Sequence, residues 1–251
     1  MTTFNARIYN IIIQLNYFLY LPNMPEYPII ILHLPKTAGT SLRLIIQNNY
    51  RAKELFFAYN RHPKFNSTHE LSGFSSSEFE KYKIIMGHFS FNKELFPFED
   101  RRYVTVLRNP VDRVISYYHH VMNRDEWRGR EISMSEYMMT SEDIDLQFQN
   151  HQTRLLSGMR QNPITEANLK QAKYNLENYF IHVGTSEKFN ETVAELRELL
   201  GWKRAKMFYE NKSANKWAAG PCTKEDLDKI QELNEFDIKL YEWVNDHLKK
   251  Q

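Results

Sequence analysis

Pro28-Ile29-Ile30-Ile31-Leu32-His33-Leu34-Pro35-Lys36-Thr37-Ala38-Gly39-Thr40-Ser41 is the stretch whose reading decides the fold. The run Pro28 to Leu32 is short, apolar and rich in isoleucine, which reads as a strand buried on both faces. Thr40 to Asn49 carries Leu42, Ile45 and Ile46 on one face and reads as a helix. A strand, a tight turn and a helix N-terminus make a site for an anion, because backbone N–H groups and the helix dipole point out of the turn. Gly39 is expected to let the backbone approach that anion closely. Ala38 completes the turn, Thr37, Thr40 and Ser41 add hydroxyl donors, and Lys36 adds a mobile positive charge. An ordinary turn with a solvated lysine would leave that density of donors without a purpose.

Outward from this stretch, three further apolar runs read as parallel strands: Lys83 to Gly87, Tyr103 to Leu107 and Tyr179 to Gly184. Helical patterns lie between and after them. Ser75-Ser76-Ser77-Glu78 has the capping-box form of a helix start. Asn109-Pro110 opens another, with asparagine as N-cap and proline at the first helical position. Further patterns cover Asp143 to Leu156, Glu166 to Asn178, Ser186 to Leu200 and Thr223 to the C-terminus. The alternation implies an α/β fold, a P-loop-like three-layer α/β/α arrangement with a central parallel sheet flanked by helices. Ligands of such sheets bind beyond the C-terminal ends of the strands. Arg108 stands at one such end, and Ser116 follows about two helical turns on, so both suit one phosphate; the planar fork of arginine binds phosphate oxygens bidentately. A structural ion pair is the other reading of Arg108, while Asp112 and Arg113 read as a surface or packing pair.

Composition narrows the classes. The length of 251 residues suits a single domain over 1–251, with 1–27 as a helical arm packed on it. The apolar stretch around Ile11-Ile12-Ile13 and Tyr17-Phe18-Leu19 is broken by Gln14 and Asn16 and ended by Pro22, short of the roughly 20 apolar residues a spanning helix needs. With no small-residue cleavage site either, a soluble, cytoplasmic protein is expected. The net charge of +2 supplies no broad basic field for nucleic acid. The single Cys222 excludes an internal disulfide framework.

The loop differs from the usual nucleotide-binding P-loop, in which Gly-Lys-Ser/Thr closes the motif, because Lys36 precedes Gly39. The strand Tyr103 to Leu107 runs into Arg108 rather than an acidic residue that would hold Mg²⁺. The loop thus reads as built for a phosphate without a metal, which suits a sulfuryl donor, whose moving group carries less charge than a phosphoryl group. A kinase-like nucleotide enzyme is the rival, and Mg²⁺-dependent ATP binding would favour it. No His, Cys and carboxylate cluster has metal-ligand spacing, and no Gly-x-Ser-x-Gly elbow is present. His88 lies just past the strand Lys83 to Gly87, at the same sheet edge as the loop, and histidine titrates near working pH, so it is the candidate general base. His33 is a second candidate, with packing beneath the loop as its plainer reading. His151, Gln152 and Arg154 read either as a polar helix lining an acceptor site or as helix surface. Tyr117, Tyr118, Trp127 and Phe89 are candidates for stacking on a sugar or on adenine.

Taken together, the motifs resemble sulfotransferases that use 3'-phosphoadenosine-5'-phosphosulfate (PAPS), in particular the carbohydrate (heparan sulfate/uronosyl) 2-O-sulfotransferase-like branch. Leu34 to Ser41 is similar to that family's 5'-phosphosulfate loop, and Arg108-Asn109-Pro110 through Ser116-Tyr117-Tyr118 to its 3'-phosphate motif. Met86-Gly87-His88-Phe89-Ser90-Phe91 resembles the segment with the catalytic histidine, and Gln171 to Leu176, followed by Phe180 and Val183-Gly184, resembles a segment leading into a late strand. The order and spacing agree from near Pro28 to about Lys216. The resemblance implies that Lys36, Thr37, Ala38, Gly39, Thr40 and Ser41 hold the 5'-phosphosulfate and that Arg108 and Ser116 hold the 3'-phosphate. It implies Ser213 and Lys216, in the loop Asn211 to Lys216, as further contacts. His88 would be the base and Lys36 the cation on the leaving oxygen, with adenosine 3',5'-bisphosphate (PAP) as product and no metal. The implied partner is a hydroxyl-bearing acceptor, first a carbohydrate, then a small alcohol, phenol or lipid. A module that binds PAPS without turnover is the remaining alternative. The sequence departs from the Golgi enzymes in lacking a membrane anchor and paired cysteines, which loosens the tie to a glycosaminoglycan acceptor. Selectivity is expected in the loops Arg61 to Ser77 and Asn123 to Met134.

Overall fold

The computed structural model describes residues 28–59, 74–92, 94–96, 102–124, 132–140, 147–159, 163–204 and 222–248. The expected N-terminal arm, Trp127, Ser213 and Lys216 lie outside these residues, as does most of the two loops assigned to selectivity.

Five parallel strands form one sheet in the order β2-β3-β1-β4-β5: β1 Ile29–Leu32, β2 Leu55–Ala58, β3 Ile84–Gly87, β4 Tyr103–Leu107 and β5 Phe180–Thr185. The four expected strands are present within a residue of their sequence boundaries. β2 is an addition. Its Leu-Phe-Phe-Ala has no alternation to mark it, and it pairs at the sheet edge only with β3. Its backbone runs so close that a Cβ at Gly87 would sit 2.2 Å from the Ala58 carbonyl oxygen, so the strand-end glycine is what admits β2.

Alternate residues of the central strands face opposite layers. Ile29 and Ile31 join Met86, Val104 and Val106 under two helices, α1 Gly39–Asn49 and α7 Phe189–Leu200. Of α1, Leu42, Ile45 and Ile46 are buried, the face the sequence marked. Ile30 and Leu32 join Phe56, Ile85 and Leu107 on the other side. That side is covered by the short α2 Ser76–Phe79, by α5 His151–Ser157, by α6 Glu166–Tyr179 and by α9 Glu235–Trp243. The arrangement is the expected three-layer α/β/α. Beside it, α3 Pro110–Met122, α4 Met134–Thr140 and α8 Lys224–Leu233 share a core of Val114, Tyr118, Val121, Met138 and Ile230.

The strand order positions the site. From β1 the chain goes to one side for β2 and β3, then crosses back past β1 to β4 and β5. The crevice of such a sheet opens at that switch, beyond the C-terminal ends of β1 and β4. Both anion-binding candidates, the loop after β1 and Arg108 after β4, lie there.

The C-terminal helical pattern is divided. Asn234 separates α8 from α9: its Nδ2 donates to the carbonyls of Phe148 and Ile230, and its Oδ1 accepts from the Asn150 N–H. Asn150 answers by accepting from Phe236 and Asp237 N–H at the start of α9, while Asp237 accepts from Gln152 and Thr153 N–H at the start of α5. Each helix thus caps the other, which satisfies two orphan donors at each terminus. α5 begins at His151, after Asn150, which takes a left-handed backbone, φ 44°, that asparagine tolerates; residues 143–146 of the expected pattern lie outside the described residues.

Candidate functional site

The loop after β1 is built by two left-handed residues. Lys36 has φ 70° and Ala38 has φ 67°, each a conformation that costs a non-glycine residue about 1–2 kcal/mol. Such turns point successive N–H groups into one concavity, an anion-binding nest. Between them the Thr37 hydroxyl donates to the Leu34 carbonyl at 2.8 Å and is buried, so the hydroxyl hydrogen that the sequence offers to an anion is engaged inside the loop. Ala38 is the N-cap of α1 and has no side-chain acceptor, no acidic residue sits in the first turn, and the Leu42 N–H to Ala38 carbonyl bond is the first that the helix makes. The positive end of an 11-residue helix therefore has no carboxylate in its own first turn. Thr40 is exposed at this end and Ser41 is buried.

Gly39 also has a use that its sequence context did not show. A Cβ there would lie 1.6 Å from His33 Nε2. The glycine makes room for an imidazole packed under the loop.

That imidazole belongs to a cluster. The His33 ring lies 4.4 Å from the His88 ring, tilted by 31°, and Tyr59 meets both edge-on, at 5.7 and 4.8 Å. His33 Nδ1 is 2.8 Å from the Tyr59 hydroxyl, and the Arg43 guanidinium lies 5.8 Å from the Tyr59 ring centre. His88 Nδ1 is 2.8 Å from the His33 carbonyl oxygen. A carbonyl only accepts, so Nδ1 carries the hydrogen, and the neutral ring has its lone pair on Nε2. Burial lowers the pKa of His88, with the bond to the His33 carbonyl opposing. Burial holds His33 far below the ordinary imidazole range as well, and the charges of His88, Arg43 and Lys36 push in the same direction. Both rings are accordingly neutral near pH 7.

The second element is tied to the first. Arg108 Nη1 donates to the Lys36 carbonyl at 3.0 Å, which braces the left-handed residue. The Arg108 backbone is itself clamped by the fully buried Gln152, whose Oε1 accepts from the Arg108 N–H at 3.0 Å and whose Nε2 donates to the Arg108 carbonyl at 2.8 Å. Asn109 caps α3 as expected, accepting from Val111 and Asp112 N–H, with Pro110 in the first turn. Burial, then the charges of Arg108 and Arg124, lower the pKa of Lys36. A loop of left-handed residues carrying Lys36 and braced by Arg108, with the charges of Arg43 and Arg124 close enough to act on His33 and Lys36, is suited to a polyanion.

The structure thus brings Lys36, Thr37, Ala38, Gly39, Arg108 and His88 together at one sheet edge. Ser116 is half-buried on α3, and among the described residues its hydroxyl makes no hydrogen bond. Tyr117, Tyr118 and Phe89 are core residues rather than stacking platforms. His151, Gln152 and Arg154 are buried instead of forming helix surface, and Arg113 is fully buried while Asp112 is exposed, so the two are no surface pair. The sequence marked Gln152 as a candidate lining of an acceptor site but carried no sign of its clamp on Arg108, 44 residues away, nor of Tyr59 and Arg124, which follow no motif. Among the described residues no group of three or more His, Cys, Asp or Glu side chains is placed to hold a metal ion, and no helix is long and apolar enough to cross a membrane.

Comparison with known proteins gives three findings. The family model described as the sulfotransferase family matches residues 23–244. No curated protein matches the chain. Among solved structures, mouse sulfotransferase SULT7A1 complexed with PAP is similar, at 12% identity and a TM-score of 0.43, over 86% of this chain and 65% of that one.

Proposed function

Since its match over residues 23–244 makes the chain a member of the sulfotransferase family, we propose that it transfers a sulfuryl group from PAPS to an acceptor hydroxyl. One catalytic domain over the whole chain is part of this reading. The observation that carries it is the uncapped start of α1 beside a histidine whose Nδ1–H is held by a carbonyl. The first suits the phosphosulfate and the second leaves Nε2 for the acceptor proton.

The residues present fit the donor. Backbone N–H groups of the loop from Lys36 to Ser41 would hold its 5' side, and Arg108, with Ser116, Ser213 and Lys216 by motif, its 3'-phosphate. In the transfer, the acceptor oxygen forms the new S–O bond as the bridging S–O bond to phosphate breaks. His88 Nε2 takes the acceptor proton as general base. The Lys36 ammonium meets the charge that grows on the departing phosphate oxygen, a preorganised cation that needs no metal. Of acceptors, a carbohydrate hydroxyl is favoured by the likeness of Met86 to Phe91 to the carbohydrate 2-O branch.

The test is calorimetric titration with PAP in the absence of metal, on the wild type, Lys36→Ala and Arg108→Ala. Saturable binding that weakens in both variants, followed by transfer of radiolabelled sulfate from PAPS to a carbohydrate acceptor that is lost in His88→Ala, is the expected result. Binding only of ATP with Mg²⁺ would sink the proposal.

A further inference from the structure

A second cleft, of about 450 Å³, lies away from the loop, between the segment that follows His88 and helices α5 and α6. Its size is within the usual range of small-molecule sites. Phe91 and Tyr179 form one wall, with rings 5.2 Å apart, and Tyr174 continues it edge-on to Tyr179 at 6.3 Å. The floor is fastened: Phe91 N–H donates to the Leu155 carbonyl at 2.7 Å, and the Tyr103 hydroxyl donates to the Asn92 carbonyl at 3.0 Å. Asn175 is buried with its Nδ2 on the Leu156 carbonyl and its Oδ1 accepting from Gln171 Nε2. That relay uses the Gln171 amine and leaves Gln171 Oε1 without a protein partner among the described residues. Asn92 likewise accepts from the Glu94 N–H through Oδ1, which leaves its Nδ2 to donate.

A second observation points to a ligand. Tyr174, at 52%, and Met159, at 40%, are the large apolar side chains that stand exposed among the described residues. Tyr174 lines the cleft and Met159 follows Gly158, which also lines it. An exposed aromatic face beside amide, hydroxyl and carboxylate groups matches the two surfaces of a sugar: a C–H face for the ring and hydroxyls for the polar atoms. Among the described lining residues Glu94 bears the one formal charge, which disfavours a uronate or an already sulfated unit.

We propose that this cleft binds a neutral glycosyl unit, as an accessory subsite of a carbohydrate acceptor; the inference rests on the carbohydrate reading above. It is not the transfer site. The cleft shares no lining residue with the loop after β1 or with Arg108, and Tyr103, whose hydroxyl is bonded to Asn92 of the cleft, stands at the other end of β4 from Leu107, which precedes Arg108, about 13 Å away at the rise of a strand. Phe91 and His88 are three residues apart, at most about 11 Å of chain, so an extended acceptor is able to touch both.

The full-length protein is applied to an array of neutral and acidic glycans, as wild type, Tyr174→Ala and Gln171→Ala, with PAP titration of each sample in parallel. Retention of neutral glycans is expected, weakened about tenfold by Tyr174→Ala, the loss of one ring contact with its hydroxyl. PAP affinity is expected to stay the same in both variants, which also shows that they fold. Retention of acidic glycans alone, of none, or equally by Tyr174→Ala, with PAP binding intact, overturns the cleft assignment and leaves the donor reading standing. Neutral glycan binding that depends on Tyr174, with no PAP binding by the wild type, supports the cleft and refutes the donor site.

Discussion

Replacing Gln152 by leucine tests how the two anion-binding elements are joined. The side chain is fully buried and its amide satisfies both backbone groups of Arg108, at 3.0 and 2.8 Å. Leucine fills a similar volume but offers no polar atom. Two hydrogen bonds at about 1 kcal/mol each are lost, and the freed N–H and carbonyl carry a desolvation cost of about 1–3 kcal/mol apiece when buried. Arg108 is only half-buried, so water recovers much of that cost. The expected loss of folding stability is about 2–4 kcal/mol, read from urea unfolding as a lower midpoint at unchanged slope. A second effect follows through Arg108, whose guanidinium braces the left-handed Lys36. In PAP titration the variant should bind about tenfold more weakly, or about 1.4 kcal/mol. An unchanged midpoint would refute the clamp. A lowered midpoint with full PAP affinity would refute the step from Arg108 to the donor site. Gln152→Glu should not restore the wild type, because its second oxygen meets the Arg108 carbonyl without a hydrogen.

The histidine pair should make stability acid-sensitive. Both folded pKa values lie below the ordinary value of about 6.5, so above pH 6.5 neither folded nor unfolded rings are charged and the pair adds no pH dependence. Below it the unfolded chain binds protons that the folded protein refuses, and stability is lost as pH falls toward the folded pKa values, with a slope of about 1.4 kcal/mol per pH unit for each histidine. Urea midpoints at several pH values between 7.5 and 5.5 should show this slope reduced in His88→Gln; an equal slope in the variant would contradict a neutral buried ring. Gly39→Ala should shift or expel the His33 ring, since the new Cβ falls 1.6 Å from its Nε2, and cost about 1–3 kcal/mol as an overpacked site. A variant as stable as the wild type, with the pH dependence intact, would show that the loop yields more easily than its packing implies.

The parts of the fold legible in the sequence are those set by local pattern. Ile29 to Leu32 reads as a strand because a run of four branched or bulky apolar residues suits burial on both faces, and α1 reads as a helix because Leu42, Ile45 and Ile46 recur at its period. The N-cap Asn109 was visible because its bonds reach only two and three residues ahead. What stayed hidden depends on partners distant in sequence. β2 has no period of its own and exists because β3 offers an edge. The stop at Asn234 comes from bonds to residues 84 and 86 positions away. In the site, Lys36, Arg108 and His88 stood out through chemistry and position at strand ends. His33 beneath the loop was legible too, as the plainer reading of that residue, but its close approach to Gly39 was not, because it depends on how the two meet in three dimensions.

The site poses a problem of charge that the buried histidines resolve. A base must be neutral to accept a proton, yet the loop proposed to hold a polyanionic donor stands among the charges of Lys36, Arg43, Arg108 and Arg124. Cations near an imidazole and burial of an imidazole act in the same direction, against its protonated form. For His33, both act at once. For His88, burial suffices, and the carbonyl that holds Nδ1–H fixes Nε2 as the proton acceptor whatever the tautomer preferred in water. An anion on the loop opposes the field of the cations, so its arrival raises the affinity of the neighbouring rings for a proton. In the proposed reaction His88 is therefore a weak base while the pocket holds no anion and a stronger one when the donor is in place.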